Sequence, residues 1–312
     1  MDMSYRVAVI GEGVIDRFVE SGAHHDVIGG SPLNTAVALQ RAGVETHWWA
    51  RVSEGSEGQV IWDYAVSNMV SHPQLIRSAE PAPIVTIELS TQGVPAYDFA
   101  LEGAADWQWS TDECEGLKSG YDLIQIGSLT AVMQPGSDAL LSTLRTIKTH
   151  SPETVISFDP NARPAAAPDV ATANAMRSRI VEFVDLADVI KVSDEDLEWI
   201  DSSLSPDATA ANWSLRGPQL VIMTRGEKGS TAFVQGKAVV HVSTVEVSLV
   251  DTVGAGDTYM AWVVRGLIAD HNARVTTNTA DLEKLLSTAA QAAAITCSRK
   301  GCNPPLLSEV AL

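Results

Sequence analysis

Leu123-Ile124-Gln125-Ile126, Val155-Ile156-Ser157-Phe158, Val189-Ile190-Lys191-Val192 and Leu220-Val221-Ile222-Met223 punctuate the chain between residues 123 and 223. Each is a short apolar run, and segments with helical patterning lie between them, at roughly 136–149, 172–186 and 194–201. Strands buried on both faces and alternating with helices predict a parallel α/β sheet. Toward the N-terminus, Val7-Ala8-Val9-Ile10 reads as a further strand, ending in Gly11-Glu12-Gly13. Ser31-Pro32 then opens a helix, with Ser31 suited to the N-cap, Pro32 to the first helical position and Gly43 to the stop. Toward the C-terminus, the runs 231–234 and 238–242 around Gly236 read as a hairpin, and two long helices are expected at 256–270 and 281–298.

One segment breaks the rhythm. Val85, Ile87 and Leu89, then Tyr97, Phe99 and Leu101, alternate with polar residues, and Thr91-Gln92-Gly93 lies between the two runs. That is the pattern of a β-hairpin with one covered face: a small appended sheet, or an ordinary surface hairpin. The length of 312 residues suffices for one large domain or two small ones. A formal net charge of −18 argues against binding nucleic acid or an anionic membrane, both of which attract basic surfaces. Cys114, Cys297 and Cys302 are too few, and odd in number, for a disulfide framework. Neither a signal peptide nor an apolar run approaching the ~18 residues of a membrane span is evident, so the expected address is cytoplasmic.

The chemistry concentrates in Asp251-Thr252-Val253-Gly254-Ala255-Gly256-Asp257, which is followed by an apolar helical run. Small residues at 254–256 let backbone N–H groups approach an anion, and a helix N-terminus adds positive partial charge. A carboxylate at such a place would repel a phosphate unless it has a further task, and accepting the proton of an attacking hydroxyl is one. The alternative is that Asp257 merely caps the helix.

The same stretch resembles the C-terminal signature of the ribokinase-like (PfkB-type) carbohydrate kinases, and other stretches agree in order and separation. Gly29-Gly30-Ser31-Pro32-Leu33-Asn34 resembles the N-terminal Gly-Gly-x-x-x-Asn signature, and Gly11-Glu12 with Ile15-Asp16 resembles the opening strand and its sugar-binding Asp. Phe158-Asp159-Pro160-Asn161-Ala162-Arg163-Pro164 is similar to a segment of fructokinase-type members. Lys191-Val192-Ser193-Asp194-Glu195-Asp196 resembles the acidic segment near the metal, and Thr224-Arg225-Gly226-Glu227-Lys228-Gly229 a nucleotide-site turn.

The resemblance implies one kinase domain over residues 1–312, an α/β fold in three layers (α/β/α) with a mainly parallel sheet, and a small β lid from about 14–28 and 82–106. It implies Asp257 as catalytic base and the N–H groups of Gly254, Ala255 and Gly256 as the phosphoryl-stabilising hole. Asp16, Gly30, Asn34, Tyr97, Phe99 and Arg163 would face the sugar, and Lys191, Thr224, Gly226 and Gly229 the nucleotide. Packing, capping or a plain surface position is the competing reading for Asn34, Tyr97, Phe99 and Arg163. The cofactors implied are ATP and Mg2+, the metal held largely through water by Glu195 or Asp196, with a solvated acidic helical turn as the other reading. Many relatives add a monovalent cation such as K+, here near Asp251, Val253, Arg299 and Gly301. The implied partners are a small-molecule sugar and, through the lid, a second copy of the chain.

Some residues depart from the family's pattern. Trp262 replaces a usual glycine and is expected to swing outward or displace a neighbour; Leu101 stands where fructokinase-type lids have arginine; Arg51-Val52-Ser53-Glu54-Gly55-Ser56-Glu57-Gly58 is a loose version of its counterpart. Cys297 and Cys302 are expected to be packing residues. The reading is a sugar kinase acting on a primary hydroxyl of a ketose-type sugar, fructose first. A 2-keto-3-deoxygluconate kinase or a nucleoside kinase are alternatives within the class, and a non-catalytic sugar-binding regulator is one outside it.

Overall fold

The apolar runs become strands because helices cover them on both sides. The computed structural model describes residues 5–20, 23–71, 75–89, 95–118, 120–271 and 273–312. In chain order its elements are β1 (Arg6–Ile10), β2 (Val14–Glu20), β3 (Ala23–Gly29), α1 (Ser31–Arg41), β4 (Glu45–Trp49), β5 (Arg51–Ser53), α2 (Ser56–Ser67) and β6 (Ile76–Ser78). There follow β7 (Ile84–Leu89), β8 (Pro95–Ala100), β9 (Leu123–Gly127), α3 (Gly136–His150), β10 (Val155–Asp159), α4 (Val170–Val184), β11 (Val189–Ser193) and α5 (Asp194–Ile200). The last are α6 (Pro206–Trp213), β12 (Leu220–Thr224), β13 (Ser230–Val234), β14 (Lys237–Val242), α7 (Ala255–His271) and α8 (Thr279–Cys297).

Eight strands form the main sheet in the order β14-β13-β12-β11-β10-β9-β1-β4. The pairs from β12 to β4 are parallel, and only β12–β13 and β13–β14 are antiparallel. Alternate residues feed opposite cores, as strand geometry requires. Val7 and Val9 pack with α1, α2, α7 and α8, whereas Ala8 and Ile10 pack with α3, α4, α5 and α6. Three layers result, as expected.

The small second sheet runs β3-β2-β7-β8; its β2–β7 pair is parallel and the outer pairs are antiparallel. The alternating segment is thus β7 paired with β8, and the turn expected at Thr91-Gln92-Gly93 lies outside the described residues. The sheet leaves the main body through Gly11-Glu12-Gly13 and returns through Leu101 to Trp107.

Two sequence expectations need correction. Ser31 is not the N-cap of α1: Gly30 is, and Ser31 is the first helical residue. Its hydroxyl is drawn away by a distant carboxylate, described below. Trp262 does not swing outward. It is 1% exposed in the core between α1, α7 and α8, with the Arg265 guanidinium 5.3 Å from its ring centroid. Since α7 is buried on every side from Tyr259 to Ile268, an indole there is enclosed within the core, with its Nε1 buried and without a hydrogen-bond partner. Among the described residues no helix is long and apolar enough to cross a membrane.

Candidate active site

Asp257 lies in the first turn of α7 and is 8% exposed. Its two carboxylate oxygens are held from α1, a helix more than two hundred residues earlier in the chain. Ser31 Oγ donates to Oδ1 at 2.6 Å and Asn34 Nδ2 donates to Oδ2 at 2.8 Å. The carboxylate therefore does not cap its own helix. One α1 turn presents both donors, because residues three apart share a helix face. Asn34 Oδ1 is buried without a hydrogen-bond partner.

Gly254 and Gly30 fix the backbone on either side. Gly254 has φ +75°, and a Cβ there would stand 2.2 Å from Cys302 Sγ. Cys302 thus packs behind the glycine turn, as expected of a packing residue, and burial raises its thiol pKa. Gly30 has φ +101°, and a Cβ would come within 2.5 Å of the Glu12 carbonyl oxygen. Both positions require glycine for a close approach as well as for a left-handed backbone.

Beside Gly256 stands Lys191, 5% exposed and projecting from an otherwise apolar strand. A Cβ on Gly256 would be 3.0 Å from its Nζ. The ammonium donates to Asp159 Oδ2 at 2.7 Å. Burial raises the Asp159 carboxyl against the pull of the Lys191 charge and hydrogen bond. Burial also pulls Lys191 down, but Asp159, with Asp196 and Asp257, more than offsets this and its pKa lies above the ordinary value.

On one side of these groups is a cavity of about 560 Å³. Thr224, Gly226 and Gly229 line it together with Ala255 and Gly256, and Val245, Val247 and Ala294 supply apolar wall. Three of the four expected nucleotide residues thus meet Ala255 and Gly256 on one space of nucleotide size, while Lys191 and Gly254 are not part of its lining. Tyr259 and Cys297 also line it, the latter as part of its wall. On the other side is Asp16, on β2. Burial raises its carboxyl pKa to about 6, and the nearby Arg163 charge acts in the opposite direction. Arg163 is exposed, and its guanidinium donates to the Ala162 carbonyl at 3.2 Å. Phe99 packs on Leu101, Ala104, Trp107 and Leu129 under the lid's return. The side chain of Tyr97 lies outside the described residues.

The two acidic candidates for the metal separate clearly. Asp196 completes a capping box with Ser193: its Oδ2 accepts from the Ser193 N–H at 3.3 Å, and its Oδ1 accepts from the Ala162 N–H at 3.0 Å. Its oxygens hold backbone together, while Glu195 projects into solvent. Among the described residues no group of three or more His, Cys, Asp or Glu side chains is suited to a metal. This sparse donor set fits a magnesium ion that keeps most of its waters and leans on phosphate oxygens. At the expected cation loop, Asp251 accepts from the N–H groups of Val253 at 3.1 Å and Gly301 at 2.9 Å, tying the two segments together. The Arg299 guanidinium pairs with Glu309 and points its charge away from that junction.

Sequence reasoning missed Glu12, Asp106 and Arg51, all buried where the small sheet joins the large one. Glu12 Oε2 accepts from the N–H and hydroxyl of Thr130 at 3.1 and 2.5 Å; Asp106 Oδ1 accepts from the Gly13 N–H at 3.1 Å. Arg51 donates to the Ala105 carbonyl at 3.0 Å and to Ser78 Oγ at 2.9 Å, and pairs with Glu113.

Comparison with known proteins finds relatives of this chain over most of its length. A fructokinase from Rhizobium leguminosarum bv. trifolii is 30% identical over 243 residues, 78% of this chain and 72% of that protein. The crystal structure of a fructokinase with bound ATP from Xylella fastidiosa superposes with a TM-score of 0.85 at 20% identity, covering 98% of this chain and 97% of that one. A fructokinase double mutant from Vibrio cholerae O395, in fructose-, ADP- and potassium-bound form, superposes with a TM-score of 0.80 at 21% identity, covering 97% and 95%. At these identities the structural likeness speaks for the fold. Residues 7–309 match the profile of the pfkB family carbohydrate kinases, and the chain belongs to that family.

Proposed function

We propose that this carbohydrate kinase transfers the γ-phosphoryl group of Mg·ATP to a primary hydroxyl of a ketose-type sugar, with fructose the first candidate. The observation that carries the reading is the placement of Asp257. Its carboxylate is oriented by Ser31 and Asn34, next in the chain to Ala255 and Gly256, which line a nucleotide-sized cavity. Fructose is favoured by the relatives named fructokinase, one of them bound to fructose, at 20–30% identity.

The chemistry follows from the groups present. Asp257 accepts the proton of the sugar hydroxyl as its oxygen forms a bond to the γ-phosphorus; the bond from that phosphorus to the bridging oxygen breaks, and ADP leaves with the electron pair. The N–H groups of Gly254, Ala255 and Gly256, at the start of α7, donate to the phosphoryl oxygens, that of Ala255 exchanging the Thr252 carbonyl it meets at 3.2 Å. Asp16, Gly30, Asn34 and Arg163 orient the sugar, with Tyr97 and Phe99 on the lid strand above it. Thr224, Gly226, Gly229 and Lys191 border the nucleotide. Glu195 would hold a magnesium ion through water, and that ion would supply neutralisation of phosphate charge. Asp251 and the carbonyls near Val253, Arg299 and Gly301 would take a potassium ion. The small sheet, spanning about 14–28 and 82–106, acts as a lid that excludes water, the competing acceptor. Pairing of two lids in a dimer and a cytoplasmic address complete the proposal.

The test is ADP release with Mg·ATP across fructose, ribose, tagatose, 2-keto-3-deoxygluconate, adenosine and fructose 6-phosphate, with the parent chain and Asp257→Asn. One acceptor should give turnover, and the variant should lose about 10²–10⁴-fold in kcat, the usual contribution of a general base. A sugar that raises the melting temperature while no acceptor turns over would replace this reading with a binding regulator.

A further inference from the structure

Lys191 and Asp159 end neighbouring parallel strands, β11 and β10, at the edge where sheets of this kind place ligand-handling groups. Both are almost fully buried, Lys191 at 5% and Asp159 at 2% exposure. A Cβ on Gly256 would stand 3.0 Å from the ammonium, so the charge lies beside the glycine turn. Only one oxygen of Asp159 is used by that ammonium; the other, Oδ1, is buried with no hydrogen-bond partner. An ion pair with a purely structural part would be expected to satisfy both oxygens, because an unpaired buried acceptor is costly.

The surroundings sharpen the point. Asp159 from β10, Asp196 from α5 and Asp257 from α7 all face Lys191, and no other charge on it is resolved. Three carboxylates against one ammonium make a poor reception for a phosphoryl group, so the place and charge of that ammonium decide whether the site accepts an anion at all.

Building on the kinase reading above, we propose that Asp159 is a positioning residue: it holds the Lys191 ammonium, charged, against Gly256, where it neutralises the transferring phosphoryl group. Lys191 is then a catalytic residue, and Asp159 acts only through it. Burial alone can pull a lysine down to about 5–6. The Asp159 charge is the first of the three that offset this, and its loss should therefore lower the lysine's pKa.

The variant Asp159→Asn keeps an oxygen that can accept from the ammonium but removes the charge. Its kcat should fall at least tenfold at pH 8 with the sugar KM within threefold of the parent, and recover toward pH 6 as Lys191 regains its proton. A parallel fall at all pH values, or a loss confined to KM, would overturn the proposal. A second measurement needs no turnover. Affinity for the non-hydrolysable triphosphate analogue AMPPNP with magnesium, compared with ADP, should fall selectively for the triphosphate in Asp159→Asn at pH 8, by about tenfold, and in Lys191→Met at every pH. Equal losses for the two nucleotides would overturn it. The double variant Asp159→Asn/Lys191→Met, which removes both members of the ion pair together, should fold like the parent and still discriminate against the triphosphate. An inactive parent chain that nonetheless shows these selective losses would sink the sugar-kinase reading alone.

Discussion

The phosphoryl end of the site and the acceptor end differ in how completely they are assembled. Asp257 has both oxygens hydrogen-bonded from α1, and Lys191 is paired with Asp159. Asp16, by contrast, has Arg163 as a countercharge but no hydrogen bond among the described residues, and Arg163 itself donates only to a neighbouring carbonyl. The phosphoryl groups grow from the main sheet and two packed helices, while Asp16 sits on a strand of the small sheet. Preorganised groups cost no reorganisation as charge develops, which matters most where phosphorus is transferred. At the other end, the ligand's own hydroxyls can complete the hydrogen bonding. That division lets one transfer apparatus serve different acceptors.

The largest effect that could break this contrast is at Asp16. If its oxygens await sugar hydroxyls, Asp16→Asn should lower kcat/KM for the acceptor by roughly 10- to 100-fold, the worth of hydrogen bonds to a charged group, and leave the ATP KM alone. Its carboxyl, raised to about 6 by burial against Arg163, is ionised above that pH and protonated below it. The parent's kcat/KM for the sugar should therefore decline as pH drops through about 6, and the Asn variant should lose that limb. An unchanged acidic limb in the variant would show that Asp16 does not grip the substrate.

A smaller effect is expected at Ser31. Removing one of two hydrogen bonds to Asp257 leaves the other in place, so Ser31→Ala should cost about five- to tenfold in kcat with little change in either KM. A loss as large as that of Asp257→Asn would mean that the hydroxyl does more than orient the base.

Ser31 also illustrates what the sequence could not convey. A serine before a proline reads as an N-cap because local hydrogen bonding is all that a short window contains. The hydroxyl instead answers to Asp257, 226 positions away. The central strands were legible because double-sided burial demands continuous apolar residues, as in Val189-Ile190 and Leu220-Val221-Ile222-Met223. Strand β4 was not, since Glu45-Thr46-His47-Trp48-Trp49 draws its apolar character from two indoles rather than an aliphatic run. Asp257, the glycine turn and Thr224, Gly226 and Gly229 were legible as motifs, whereas the roles of Asp159 and Asp196 depend on partners that only the fold supplies. A lysine inside an apolar strand was the one local signal of the buried pair.

The smallest effect lies where the two regions join. Asp106 holds the Gly13 N–H, at the start of the lid, and burial together with the Glu12 charge lifts its carboxyl well above the usual range. The native state then binds a proton that the unfolded chain has released, so between the ordinary carboxylate pKa and the raised one, stability falls as pH rises. An amide at this position can still accept from Gly13 but has no proton to lose. Asp106→Asn should therefore leave the melting temperature near pH 5 almost unchanged and raise it by about 1–3 °C at pH 8, flattening the alkaline side of the stability profile. A variant less stable than the parent at pH 8 would mean that Asp106 works as an anion, with Arg51 rather than a proton balancing its charge. The hinge of the lid would then be held by an ion pair, like the phosphoryl end, and the contrast between the two ends would stop at Asp16 itself.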